Sequence, residues 1–169
     1  MKPVLYFALA LALSALQAAL LRWLGGGAIP VMIVLPMVLW LGLHANTVEG
    51  AVSATAIGYV LDLANGGPKG LMTFLSVALF LFARGAGAAV DIPGRVGFAV
   101  LTLVGTFLAG CAALGLIDLV TPQVAAPGWE LAGRIGLEAL VTALASPLVL
   151  SLMNATDRLF ARDDPTLLR

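Results

Sequence analysis

Long apolar runs follow one another along the chain, separated by short polar or glycine-rich breaks. The runs fall at about Val4–Leu21, Ile29–Leu43, Thr47–Ala64, Leu71–Arg84, Val96–Val120 and Leu131–Met153. Crossing a bilayer as a helix takes roughly 20 residues, and the breaks carry the glycine, proline and asparagine that end helices. The pattern predicts an all-α integral membrane protein: one compact bundle of six transmembrane helices over residues 1–156, then a polar cytoplasmic tail at 157–169. Pro30 sits well in a first helical turn. Pro36 falls in the interior of the same segment, where its missing N–H predicts a kink. Gly85 and Gly87 are expected to loosen the fourth helix after Arg84, and Pro127-Gly128-Trp129-Glu130 to form a loop.

The third segment organises the rest. Gly50, Ala54, Gly58 and Asp62 recur at four-residue spacing, so on a helix they form one narrow face of small residues ending in an acid. Val52, Ile57, Tyr59, Val60 and Leu63 make the opposite side. In lipid, a small-residue stripe lets another helix come close enough for dispersion contacts, and an acid at its end is expected to look toward protein. Asn65-Gly66-Gly67-Pro68-Lys69-Gly70 cannot continue a helix and predicts a tight turn. The fifth segment repeats the device with Gly105, Ala109 and Ala113, beside Gly110 and Cys111.

Composition narrows the class. Of 169 residues 61% are hydrophobic and 11% charged, with mean hydropathy +1.05, against about 25% charged residues in a soluble domain. Net charge is zero, which leaves no basic patch for nucleic acid. The first run exceeds the roughly 7–15 residues of a signal-peptide core and is read as a retained span. Six spans place both termini on one side, with Lys2, Arg84, Arg95, Arg158, Arg162 and Arg169; Arg22, Lys69 and Arg134 lie opposite. The positive-inside rule then puts both termini in the cytoplasm. Cys111 has no partner cysteine and is expected to be buried filler. His44 is the sole histidine, so neither a metal centre nor a Ser-His-acid triad can be assembled. No cofactor and no enzyme activity are expected.

Two intramembrane acids stand out. Glu138 lies about two turns into a span, where an unpaired carboxylate costs several kcal/mol. Either it pairs with Arg134 one turn away, or it meets a polar group on another helix or a partner. Asp62 either caps or snorkels near the interface, or makes an interhelical contact, which its place on the small face favours.

The run Gly58-Tyr-Val-Leu-Asp62-Leu63, then Gly66 and Gly70, followed by an apolar helix ending near an arginine, resembles the MreD family of rod shape-determining membrane proteins. The motif G-x3-D-L-x2-G-x3-G covers only about residues 50–84; length and layout agree over the whole chain. The resemblance implies a non-enzymatic scaffold of the bacterial cell-wall elongation complex in the cytoplasmic (inner) membrane. It also implies binding to MreC, which has one membrane helix and a periplasmic domain, and association with RodA, a penicillin-binding transpeptidase and MreB. On this reading Gly50, Ala54, Gly58, Asp62, Gly66, Gly70 and Glu138 are the expected packing and partner-binding residues, the small-residue groove receiving the MreC helix. The chain is also similar in size and span number to the vitamin-binding S components of energy-coupling-factor transporters. Those dock through Ala-x3-Ala on the first helix, a spacing that Ala8 with Ala12 and Ala15 with Ala19 meet. A vitamin pocket, however, needs aromatic and polar groups converging from the outer loops.

Overall fold

A computed structural model describes residues 8–9, 11–13, 15, 32–65, 68–89, 94–120 and 128–161. Most of the first segment, the Gly25-Gly26-Gly27 loop, Gly66, Asp91 and the tail beyond residue 161 lie outside the described residues. Five helices follow: α1 (Val34–His44), α2 (Thr47–Asn65), α3 (Leu71–Ala89), α4 (Gly94–Val120) and α5 (Gly128–Ala161). Residues 8–9, 11–13 and 15 are also helical. Every described residue outside turns and caps is helical. Among the described residues three stretches are long and apolar enough to cross a membrane, Leu71–Ala89, Gly94–Leu119 and Ala132–Thr156.

The shortest helix is the hub. α1 has 11 residues, about 16 Å of helix, and packs against each of the other four. Val34 through Gly42 are all buried, so this segment is a core element surrounded by protein on every side. Its start corrects one expectation. The helix begins at Val34 after a turn closed by Leu35 N–H donating to the Met32 carbonyl at 3.1 Å, which puts Pro36 in the first turn. There the amide would have no helical acceptor anyway, so the ring removes nothing and no kink is required.

Cross-links fix direction. Met32 N–H reaches Thr142 Oγ1 at 3.4 Å and Trp40 Nε1–H donates to Asn154 Oδ1 at 3.1 Å, so α1 and α5 run the same way. Gly42 lies against Ala83, and Gly87 against Leu43, so α3 does too. α2 and α4 run opposite, forming helical hairpins with α3 and α5. At one end Arg84 Nη1 donates to the Ala45 carbonyl at 3.1 Å, placing a cation on the C-terminus of α1, where the helix dipole favours it.

Two further boundaries differ from expectation. α3 runs through Gly85 and Gly87 to Ala89. A Cβ at Gly87 would sit 2.8 Å from Leu43 Cδ2, so this glycine allows close approach to α1 rather than breaking the helix. α5 begins at Gly128 and continues to Ala161, taking in residues expected to be loop and tail.

Pro147 lies inside α5 and cannot donate to the Ala143 carbonyl one turn back. The buried Ser146 hydroxyl does so instead, at 2.7 Å. Ser146→Ala is therefore expected to leave a buried carbonyl unsatisfied and to lower stability by about 1–3 kcal/mol, measured by thermal unfolding in detergent. Unchanged unfolding would mean that another donor reaches Ala143.

Candidate functional site

The α2/α3 hairpin carries the motif. On α2 the residues turned toward protein are Gly50, Ser53, Ala54, Ile57, Gly58, Leu61 and Asp62, all buried, whereas Val52, Tyr59 and Leu63 are exposed. The stripe is wider than the four-residue row by Ser53, Ile57 and Leu61, and Ile57 falls on the covered side, not on the opposite one. The helix lying on it is α3 of the same chain. A Cβ built on Gly58 would fall 2.5 Å from Thr73 Cα and 2.8 Å from the Met72 carbonyl oxygen, and the space beside Gly50 is filled by the Phe80 ring. Ala54 is fully buried between them.

Asp62 closes the hairpin. Only 8% exposed, its Oδ2 accepts from Gly70 N–H at 3.0 Å, Thr73 N–H at 3.1 Å and Thr73 Oγ1–H at 2.6 Å. Its Oδ1 accepts from Met72 N–H at 2.8 Å. These amides open α3 and have no acceptor within their own helix. The ordinary remedy is a Ser, Thr, Asp or Asn side chain at the N-cap. That position is Gly70, whose φ of +94° strains any residue with a Cβ. The cap is thus supplied from α2, and the acid–glycine spacing of the motif is the geometry of that exchange.

This arrangement corrects the expected docking mechanism. With backbone atoms of α3 in contact with Gly58, the groove has no room for a helix of another protein. Gly50, Ala54, Gly58, Asp62 and Gly70 are brought together, but by the chain's own hairpin; Gly66 lies outside the described residues. α4 uses its small residues in the same way. A Cβ at Gly105 would meet Leu39 and Leu79, and one at Gly110 would fall 2.6 Å from Ile135 Cγ2. Cys111 is exposed, contrary to expectation, because internal packing takes the Gly105, Ala109 and Gly110 side of α4 and leaves Cys111 on the outward row with Val104, Phe107 and Leu108.

Glu138 lies apart from the motif. Half-buried, it lines a partly open cavity of about 160 Å3 between α1, α3, α4 and α5. Arg134 is exposed, and among the described residues no ion pair joins it to Glu138, so the local-pair alternative does not hold. The cavity was not legible in the sequence, since its walls come from four helices. His44 bonds through Nδ1 to the Trp40 carbonyl at 3.2 Å and stacks on the Trp40 ring, centroids 4.8 Å apart. Among the described residues no group of His, Cys, Asp and Glu is arranged to hold a metal ion.

Comparison with protein-family models, with curated proteins and with solved structures returns no match. Among the described residues the protein is all-helical, with three helices of membrane-spanning length, knit together by polar caps.

Proposed function

We propose that this protein is a non-enzymatic scaffold of the MreD type: a six-span protein of the bacterial inner membrane, both termini cytoplasmic, that binds MreC within the wall-elongation machinery. The observation that carries the proposal is the use to which its polar residues are put. Asp62 caps α3, Arg84 caps α1 and Asn154 holds Trp40, so the chemistry-bearing groups serve internal architecture, and what the bundle presents outward is apolar helix surface.

The surface offered to the MreC membrane helix is not the α2 stripe but the outward face of α4 and α5. There Leu103, Val104, Phe107 and Leu108 flank Gly136 and Ala139 around an open apolar groove. A Cβ at Gly136 would meet nothing within 4 Å. With Ala132 four residues before it, Gly136 supplies the small-x3-small spacing that lets a helix approach closely in lipid. Filling the groove with Gly136→Leu is expected to abolish co-purification of MreC from native membranes while insertion and thermal stability hold. Undiminished MreC capture would remove this face from the proposal. In the same eluate, an energising ATPase module in place of MreC would decide for the S-component alternative. That alternative is weakened by the cavity at Glu138, which has no aromatic wall and falls below the roughly 300 Å3 of a drug-sized pocket.

A further inference from the structure

Lys69 and Asp118 are two opposite charges that serve no internal contact. Both are exposed, and among the described residues neither side chain joins an ion pair or a hydrogen bond. They come together at one end of the bundle. Gly105 of α4 lies against Leu79 of α3 and the two helices are antiparallel, so counting outward from that contact brings Lys69 and Asp118 to the same level within about one helical turn. There Lys69 lines an open groove with Leu71, Phe74, Leu116 and Ile117, and Asp118 follows the last of these in the chain.

The height of the groove says what lies beside it. Leu71 opens one membrane-length stretch and Leu119 closes another, so the apolar walls fall at the edge of the hydrocarbon and the two charges at the level of lipid headgroups. The space between the walls, about 260 Å3, exceeds the roughly 150 Å3 that admits a benzene-sized guest, and so takes several methylenes of an acyl chain. A partner helix laid over this spot would have to desolvate both charges. A lipid meets them at the surface.

The two charges select the headgroup. The amides that open α3 are already bonded, those of Gly70, Met72 and Thr73 to Asp62 and that of Leu71 to the Pro68 carbonyl at 3.2 Å, which leaves Lys69 to receive an anion. A headgroup of net negative charge would also meet Asp118, and like charges repel. A zwitterion with a phosphate and a primary ammonium answers both, because its N–H groups donate to the carboxylate as a trimethylammonium cannot. We propose that this groove seats one phosphatidylethanolamine, its phosphate on Lys69, its ammonium on Asp118 and the upper part of one acyl chain between α3 and α4. The seat is separate from the α4/α5 groove offered to MreC, and its readout is the lipid alone.

The test is competition among headgroups. The full chain, released from nanodiscs holding equal amounts of dioleoyl phosphatidylethanolamine, phosphatidylcholine and phosphatidylglycerol, is expected to retain the first in native mass spectra about two- to fivefold over either of the others, the range of an exposed charge pair. Lys69→Gln should lower retention of phosphatidylethanolamine and phosphatidylcholine alike, by about two- to fivefold. Asp118→Asn should abolish the preference for phosphatidylethanolamine over phosphatidylcholine and leave phosphatidylcholine bound as before. Arg134→Gln, which removes an exposed charge outside the groove, should change neither. All three variants are expected to unfold in detergent at the wild-type temperature, since each side chain is exposed. Equal retention of the three lipids, a preference for phosphatidylglycerol, a preference that survives Asp118→Asn, or the same loss from Arg134→Gln as from Lys69→Gln would each overturn the proposal. So would lipid-free dimers that Lys69→Gln dissociates, which would make a second copy of the chain the occupant.

Discussion

Asp62→Leu should open the α2/α3 hairpin. Four donors converge on the carboxylate, three of them amides at the start of α3. Each buried donor left without an acceptor costs about 1–3 kcal/mol, so even with water reaching one amide the variant is expected to lose about 3 kcal/mol or more. Asp62→Asn separates charge from shape. Its single oxygen still accepts, but its NH2 group faces donors on the other side, and a loss of about 1–2 kcal/mol is expected. Thr73→Val removes only the hydroxyl donor and should cost least. Reversible unfolding in mixed micelles measures all three, and the order Leu, Asn, Val is the prediction. Equal stability of Asp62→Leu and the wild type would show that α3 finds its cap elsewhere.

Gly58→Ala is the second large effect, and its size comes from what the added methyl meets. Its contacts at 2.5 Å and 2.8 Å are with backbone atoms of α3, which no change of rotamer can relieve. The Ser76 hydroxyl lies 2.9 Å from the same point. Overpacking of this kind costs about 1–3 kcal/mol, occasionally more, and here the relief available is to push the two helices apart, which also lengthens the Asp62 hydrogen bonds. The matched control is Gly85→Ala. Gly85 lies in the interior of α3 with nothing within 4 Å of its absent Cβ, so alanine there is expected to stabilise by about 0.5–1 kcal/mol through backbone entropy. Two glycine-to-alanine changes in one hairpin should therefore move unfolding in opposite directions. Equal destabilisation by both would mean that helix propensity, not the close approach at Gly58, governs the pair.

The two variants act on one device, and that links fold to function. If the α2/α3 hairpin opens, the wall that α3 contributes to the Glu138 cavity moves as well, because Leu75 and Ser76 sit one turn beyond the cap. A loss of partner binding in Gly58→Ala or Asp62→Leu is thus no evidence of direct contact, whereas Gly136→Leu, in a groove lined by α4 and α5 and by no residue of the hairpin, tests the outward face alone.

Much was legible in the sequence because it depends on neighbours along the chain. Apolar runs longer than a soluble core needs marked a membrane protein, and the boundaries of α2 are met to within a residue. Four-residue spacing marked Gly50, Ala54, Gly58 and Asp62 as a buried face. Gly70 next to a proline-containing break marked a turn. Each follows from helical periodicity or from the backbone freedom of one residue.

What the sequence could not determine is which surface fills which. A stripe of small residues says that something approaches, and only the packed chain shows that the visitor to Gly58 is α3. Pro36 read as a kink because the start of its helix, Val34, is set by packing in the core and not by a local signal. Cys111 read as buried because residue type cannot tell the inward side of α4 from the outward one. The cavity beside Glu138 draws on positions far apart in the chain. Periodicity fixes which residues share a face of one helix, but the rotation of each helix against its neighbours is decided by close packing among all of them at once, and that information exists only in three dimensions.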